Sequence, residues 1–273
     1  MTQAAATTHE LSPIGRYLRS WRARRRMSQL DLALDAEIST RHLSFVETGR
    51  SRPSREMVLR LAERLDVPLR ERNTLLVAAG FAPAFPERSL SDGALVSARN
   101  AVDLVLAGHA PYPALAVDRH WVLVSANAAA ETLMQGVDPA LLVPPVNVLR
   151  VSLHPMGMAT RILNLAEWRA HILERLRRQI LATADPALIA LRDELAGYPA
   201  GRSAASRSAE TEAGSIAVPL RLAAGEAVLD LISTTTMFGT PVDITVSELA
   251  IESFFPANPA TSAALQRIAG ARG

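Results

Sequence analysis

The residues with the clearest chemistry lie in the run SQLDLALDAEISTRHLSFVETGRSRPS, from Ser28 to Ser54. Gln29, Ser39, Thr40, Arg41 and Ser44 carry amide, hydroxyl and guanidinium groups, and Arg50, Ser51 and Arg52 follow closely. Such groups bond to phosphate oxygens and to base edges. If Leu43 and Val46 face a core, then at about 100° per residue Thr40, Arg41, Ser44 and Thr48 fall on the opposite face, with Phe45 at its border. That arrangement is a polar ridge one helix wide, richest at the N-terminal end where Ser39 stands. Gln29 opens the preceding helix, where a side-chain amide and orphan backbone N–H groups together can hold a phosphate. Arg50, Ser51 and Arg52 are placed to hold the adjacent backbone. Glu47, an anion just before Gly49, braces the domain rather than touching DNA.

The ridge needs elements to hold it. Leu11, Ile14, Leu18 and Trp21 or Arg22 give a helical period that continues through Arg24, Arg25 and Arg26. Ser28, with Asp31 three residues on, predicts the N-cap of a second helix through Ala36. Ser39 predicts the cap of a third, ending at Thr48-Gly49. Ser54 caps a fourth, and Pro68 starts a fifth that Gly80 ends. Two short helices joined by a tight turn, with the second presenting a polar face, form a helix-turn-helix. Taken alone, the Arg24–Arg26 run reads as the solvated face of a helical bundle; the combined spacing favours DNA.

The charge distribution agrees. The net charge is only +2, yet residues 1–88 hold 15 Arg against 10 acids and the remainder 14 against 17. The basic half is where a polyanion would bind. All 29 basic residues are Arg. This looks like codon bias, so the choice of Arg over Lys at one position carries little meaning. The absence of cysteine excludes disulfides, thiolate metal sites and cysteine nucleophiles. No secretory signal and no apolar run of spanning length is visible, so a soluble cytoplasmic protein is expected.

The string from Ser39 to Ser54 resembles the xenobiotic-response-element (XRE) class of phage-repressor-like regulators, over roughly residues 11–79. The Gln at the start of the scanning helix, the Glu-x-Gly and the later Pro-Ser stand in place. The resemblance implies a phosphate contact for Gln29 and base reading by Thr40 and Arg41, with Ser44 a weaker candidate. Phe45 departs from the polar residue common there; it either touches a thymine methyl or packs on a neighbouring helix.

Beyond residue 80 the pattern changes. FAPAFPERSLSDG, residues 81–93, reads as a linker between a domain at 1–80 and one at 94–273. Residues 1–10 read as frayed and 201–215 as polar and flexible. A helix over 94–108, a hairpin around Asp118-Arg119, a helix from Asn127, a long amphipathic helix over 165–184, another from Asp185-Pro186, two strands joined at Ala224-Gly225 and a short helix from Ser262 make an antiparallel sheet packed on helices. His109, His120, His154 and His171 lack metal spacing, and no Gly-rich phosphate loop or nucleophile motif appears. No enzyme, cofactor or metal is expected. Asp118 and Asn127 are explained by a turn and a helix cap.

The segment Tyr112–Asn127, Asn147–Arg150, the helix with Trp168, and Ser233–Gly239 resemble the MmyB-like regulators, whose ligand-binding domain is PAS-like. The expected fold is thus multidomain: an all-α five-helix repressor-type domain followed by an α+β PAS-like domain. The resemblance implies a fatty-acid-like, apolar ligand. Met156, Met158, Trp168, Ile172, Met237 and Phe238 can line a pocket, although each reads equally as core. Arg150, His154 or His171 can hold a carboxylate head. Repressor-type domains bind double-stranded DNA as dimers, so a homodimer is expected. The rival reading is a DNA-binding protein whose second domain only dimerises, or binds a protein partner as antitoxins do.

Overall fold

The computed structural model describes residues 12–90, 92–199, 218–239, 241 and 243–270. The expectations for residues 1–10 and 201–215 lie outside the described residues. The chain divides into two compact units, Met1–Glu87 with Val242–Ile244, and Arg88–Pro241 with Thr245–Gly273.

The first unit is helical: α1 (Pro13–Arg24), α2 (Gln29–Asp35), α3 (Thr40–Glu47), α4 (Arg55–Arg64) and α5 (Leu69–Ala78). Its boundaries follow from capping chemistry. Ser28 accepts from the Asp31 amide while Asp31 accepts from the Ser28 amide, a reciprocal box that satisfies two orphan donors. Ser39 and Ser54 cap α3 and α4 by accepting from the His42 and Met57 amides. Gly49 stops α3 at φ +77°, the left-handed region that a side chain resists. Leu18, Leu32, Leu43, Val46, Leu61, Leu65, Leu75 and Leu76 are fully buried and form one core. Within the basic run, Arg25 is structural: it donates to the Leu65 and Asp66 carbonyls, both at 2.8 Å, and closes the end of α4. Asn73 bonds to Ala84 and Phe85, which ties the chain after α5 back onto that helix.

The elements after α5 are α6 (Val96–Gly108), β1 (Ala114–Val117), β2 (Leu123–Ala126), α7 (Ala128–Leu133), α8 (Val148–Leu153), α9 (Leu165–Thr183), α10 (Pro186–Gly197), β3 (Leu220–Ala224), β4 (Ala227–Met237), α11 (Ile244–Ser247), β5 (Ala250–Pro256) and α12 (Pro259–Gly270), all in the second unit except the first residue of α11. The five strands form one sheet in the order β2-β1-β5-β4-β3, antiparallel throughout. This is the α+β, PAS-like arrangement. The hairpins β1-β2 and β3-β4 stand where the sequence places them. β5 is a correction: the sequence reading ends its strands at β4, whereas the last strand inserts between the hairpins and joins them. Glu252 and Ser253 are buried in β5, and two adjacent buried polar residues hide the apolar alternation by which a strand is recognised.

The pleat sorts side chains between two faces. Ala114, Ala116 and Ile251 pack with Val102 and Leu106 of α6 on one face. On the other, Leu115, Leu220, Leu222, Leu229 and Leu231 meet Leu149, Val151, Trp168, Ile172 and Leu176 from α8 and α9. Register places Leu115 opposite Glu252 and Glu252 opposite Thr235, a row across three strands on this second face. Asp118 accepts from the His120 and Val122 amides, the turn expected of it. Asn127 caps α7 and also bonds to Ala114, Leu106 and Tyr112, which saturates its amide.

One contact in the first unit leaves no room for a side chain. A Cβ on Gly15 would lie 2.2 Å from the Glu47 carbonyl oxygen, so glycine lets α1 approach the end of α3. Gly15→Ala gains helix propensity of about 1 kcal/mol. Overpacking against backbone outweighs it, for a net loss of roughly 1–3 kcal/mol. Urea unfolding of the full chain checks this; a midpoint unchanged or raised for the first unit would refute it.

Candidate functional site

The ridge on α3 forms as its spacing dictates. Leu43 and Val46 are fully buried, Arg41 is exposed, and Thr40, Ser44, Phe45 and Thr48 are partly exposed. Ser39 is exposed at the helix start, and its oxygen holds the His42 amide. The Thr48 hydroxyl turns back to donate to the Ser44 carbonyl at 2.7 Å, so it offers less to an outside partner than its place on the face suggests. Phe45 is flanked by cations: the Arg41 and Arg50 guanidinium carbons lie 5.3 and 6.0 Å from its ring centroid. The ring thereby gathers Arg41 and Arg50 along one edge of the ridge. Arg50 and Arg52 are exposed and Ser51 is partly so. Ser51 donates its amide to the Phe45 carbonyl, which folds the post-helix turn against α3.

Beneath the ridge sits Glu47, whose side chain has 0% exposure. Arg22 grips both carboxylate oxygens, Nε to Oε1 at 2.8 Å and Nη2 to Oε2 at 3.0 Å. Arg19 approaches to 3.5 Å. The Gln29 side-chain amide donates to Oε2 at 2.8 Å. Gln29 is thus oriented by Glu47; its second amide hydrogen and the start of α2 remain for an outside acceptor. Burial alone would raise the Glu47 carboxyl. Hydrogen bonds from Arg22 and Gln29 and the charges of Arg22 and Arg19 together outweigh burial and hold it below the usual range. Glu47 therefore clasps α1, α2 and α3 into one register.

The second unit contains a partly open, mostly apolar cavity of about 90 Å³ between the sheet face and α7–α9. That is room for several waters or a slender chain. Met158, Trp168, His171 and Ile172, singled out from the sequence, line it together. The other five singled-out residues lie elsewhere. Arg150 pairs with Glu194 at 2.7 Å on the surface. The His154 ring packs against Tyr198, and its Nδ1 accepts from the Met156 amide. Met156 and Met237 are 59% and 61% exposed. Phe238 packs with the cluster on the opposite sheet face.

The cavity's polar groups are Arg175, Glu252, His171 and Ser152. Arg175 donates Nη1 to Glu252 Oε2 at 2.8 Å and Nη2 to Oε1 at 2.5 Å. Its guanidinium lies 4.6 Å from the Trp121 ring centroid, and Trp121 is anchored through Nε1 to Gln179 at 2.9 Å. His171 stacks on Trp168 at 5.4 Å. Burial, and then the nearby charges of Arg175 and Arg178, push the His171 imidazole below its ordinary range, against an opposing pull from Glu252. Sequence reasoning missed Arg175, Glu252 and Trp121. For Arg175 a signal exists: His171, Arg175 and Gln179 recur every fourth residue beside the inward stripe of Trp168, Ile172 and Leu176. For Glu252 none exists, because its partner is 77 residues distant. Among the described residues no cluster of three or more His, Cys, Asp or Glu could hold a metal ion, and no helix is long and apolar enough to cross a membrane.

Comparison with known proteins agrees with this division. A family model for the MmyB-like transcription regulator ligand binding domain matches residues 98–268, and a helix-turn-helix domain model matches residues 13–75. A search of curated proteins finds no match. Among solved structures, an RNA-binding light-oxygen-voltage receptor is similar at 18% identity over 98% of this chain and 66% of that chain, with a TM-score of 0.24. The chain spans just under two thirds of that structure's length, and a superposition this poor carries no argument about fold or function.

The Glu47 clasp has a pH signature. A carboxyl held low in the fold adds stability that is complete above its unfolded value near 4.5 and is lost as pH falls through the folded value. Glu47→Gln should lower stability on the order of 3 kcal/mol at neutral pH. The gap to the native chain should then narrow steadily below pH 4.5. Denaturant titrations across pH 3–7 read this out; a gap independent of pH would show that the Glu47 charge contributes nothing.

Proposed function

Because the chain belongs to the MmyB-like transcription regulators by its ligand-binding domain, we propose that it binds specific double-stranded DNA as a homodimer in the cytoplasm, and that a small apolar molecule bound in the cavity alters that binding. The observation that carries the DNA half is the ridge on α3, whose underside is fully buried while Thr40, Arg41 and Ser44 face outward. A polar face one helix wide fits the major groove. Thr40 and Arg41 read bases, with Ser44 beside them. Gln29 with the α2 start, Ser39, Arg50, Ser51 and Arg52 hold phosphates. Phe45 offers its edge to a thymine methyl while the flanking guanidiniums face the backbone.

The ligand half rests on the cavity lining. Leu115, Leu133, Met158, Trp168, Ile172 and Phe254 present hydrocarbon to this space, and methionines suit tails of varied shape. This supports a fatty-acid-like molecule in its hydrocarbon part. Occupancy acts on DNA binding as a coupling free energy, in either direction.

Arg41→Ala should cost about 1–3 kcal/mol on the specific site and relax preference at one base pair. Arg50→Ala or Arg52→Ala should weaken all sequences alike and reduce the salt slope by about one. Footprinting and salt titration separate these roles; an Arg41 variant with unchanged sequence preference would remove it from base reading. For the cavity, native mass spectrometry before and after solvent extraction should detect an apolar passenger, and adding it back should shift DNA affinity roughly 5–150-fold. A second unit that stays empty and shows no thermal shift with any lipid would overturn the sensing reading.

A further inference from the structure

One aromatic ring stands on the polar ridge of α3. Phe45 is partly exposed, and it is not among the apolar side chains packed against the core of the first unit. Two cations lie against it. Arg41, one helical turn earlier, brings its guanidinium carbon to 5.3 Å from the ring centroid, and Arg50, in the turn after the helix, comes to 6.0 Å. Residues i and i+4 of a helix share one face, so Arg41 and Phe45 present their ends together. Arg41 is exposed, and among the described residues its guanidinium forms no ion pair or hydrogen bond, so its fork is free.

We propose that Arg41 and Phe45 act as one reader of a two-base step: a guanine preceded on its strand by a pyrimidine with a 5-methyl group. Thymine and 5-methylcytosine are then accepted alike, and plain cytosine is discriminated against. The proposal rests on the reading of α3 as the base-contacting helix and names the bases it takes. An arginine fork matches the O6 and N7 acceptors of guanine. Successive bases on a strand lie about 3.4 Å apart. Groups 5.3 Å apart therefore touch the same base pair or adjacent ones. The fork covers the guanine edge, so the ring meets the neighbour. In a right-handed duplex, C5 of the pyrimidine preceding a guanine lies beside that guanine's major-groove edge. A ring packed on the guanidinium thus meets whatever group C5 carries. The phenyl edge has no donor and no acceptor. It cannot tell the O4 acceptor of thymine from the N4 donor of cytosine, and it registers only the methyl. That methyl is what thymine shares with 5-methylcytosine and cytosine lacks. A hydrogen-bonding side chain at position 45 would separate these two bases, whereas phenylalanine merges them. A CG step methylated on its cytosine becomes equivalent to TG, which makes the ridge a reader of DNA modification.

The test uses the full-length protein to select sites from a randomised, unmethylated duplex library, and then measures binding to a selected site by fluorescence anisotropy. Selected half-sites should carry TG at a fixed position. Deoxyuridine in place of that thymine removes the methyl alone. It should weaken binding about fourfold in one half-site and about fifteenfold in both, the effect of one buried CH₂-sized group at each. 5-Methylcytosine paired with guanine at that position should bind within about twofold of thymine, and unmodified cytosine should not. These comparisons use the unaltered protein and do not depend on a variant's folding. In Phe45→Ala the thymine, deoxyuridine and 5-methylcytosine sites should all bind within about twofold of one another. Indifference to deoxyuridine at every thymine of the selected site, or a methyl effect that survives Phe45→Ala, would overturn the proposal and leave DNA binding standing. A library from which no sequence is enriched would instead remove α3 as a base reader altogether.

Discussion

A carboxylate removed from water must be matched by a cation and by hydrogen bonds, or the fold cannot hold it there. Each unit of this chain is organised around one. Glu47, fully buried, is gripped by Arg22 and Gln29; Glu252, nearly so, is gripped by Arg175 and Thr235. In neither place is the pair an addition to a finished core. It sets which elements meet and at what register, because a shift of one residue would leave a buried charge without a partner.

In the helical unit the constraint acts on a surface. The ridge on α3 can only be presented to a groove if its underside is fixed, and Glu47 fixes it from the last turn of the same helix. Gln29 belongs to both halves of this logic. Its side chain completes the clasp, and its backbone opens α2, the helix proposed to meet phosphate. Arg19 and Arg22 are consumed in bracing and Arg25 in capping, so the basic charge of this half is divided between structure and binding.

In the α+β unit the constraint acts on a cavity. Strand β5 joins two hairpins that would otherwise be separate ribbons, and it brings Glu252 into the centre of the sheet face. Helix α9 then crosses that face with Trp168, Ile172 and Leu176 in the core, and His171 and Arg175 also line the cavity. Trp121, held by Gln179, completes the wall. The same helix thus supplies apolar surface and the one cation that the buried carboxylate requires.

What the sequence determined by itself is local. Serines three residues ahead of the amide they cap, a glycine after a helix, and a 3.6-residue apolar period place α2, α3, α4 and α9 within a residue or two, and with them the outward face from Thr40 to Ser44. These signals work because each depends on residues a few positions apart. The tertiary structure alone decided the central strand, the close approach at Gly15, and which polar groups the cavity contains. Met158, Trp168, His171 and Ile172 could be drawn from the helical stripe and its approach. Arg175 and Glu252 acquire their meaning only from each other, across 77 residues. A charge in isolation reads as surface; only the three-dimensional partner shows that it is buried.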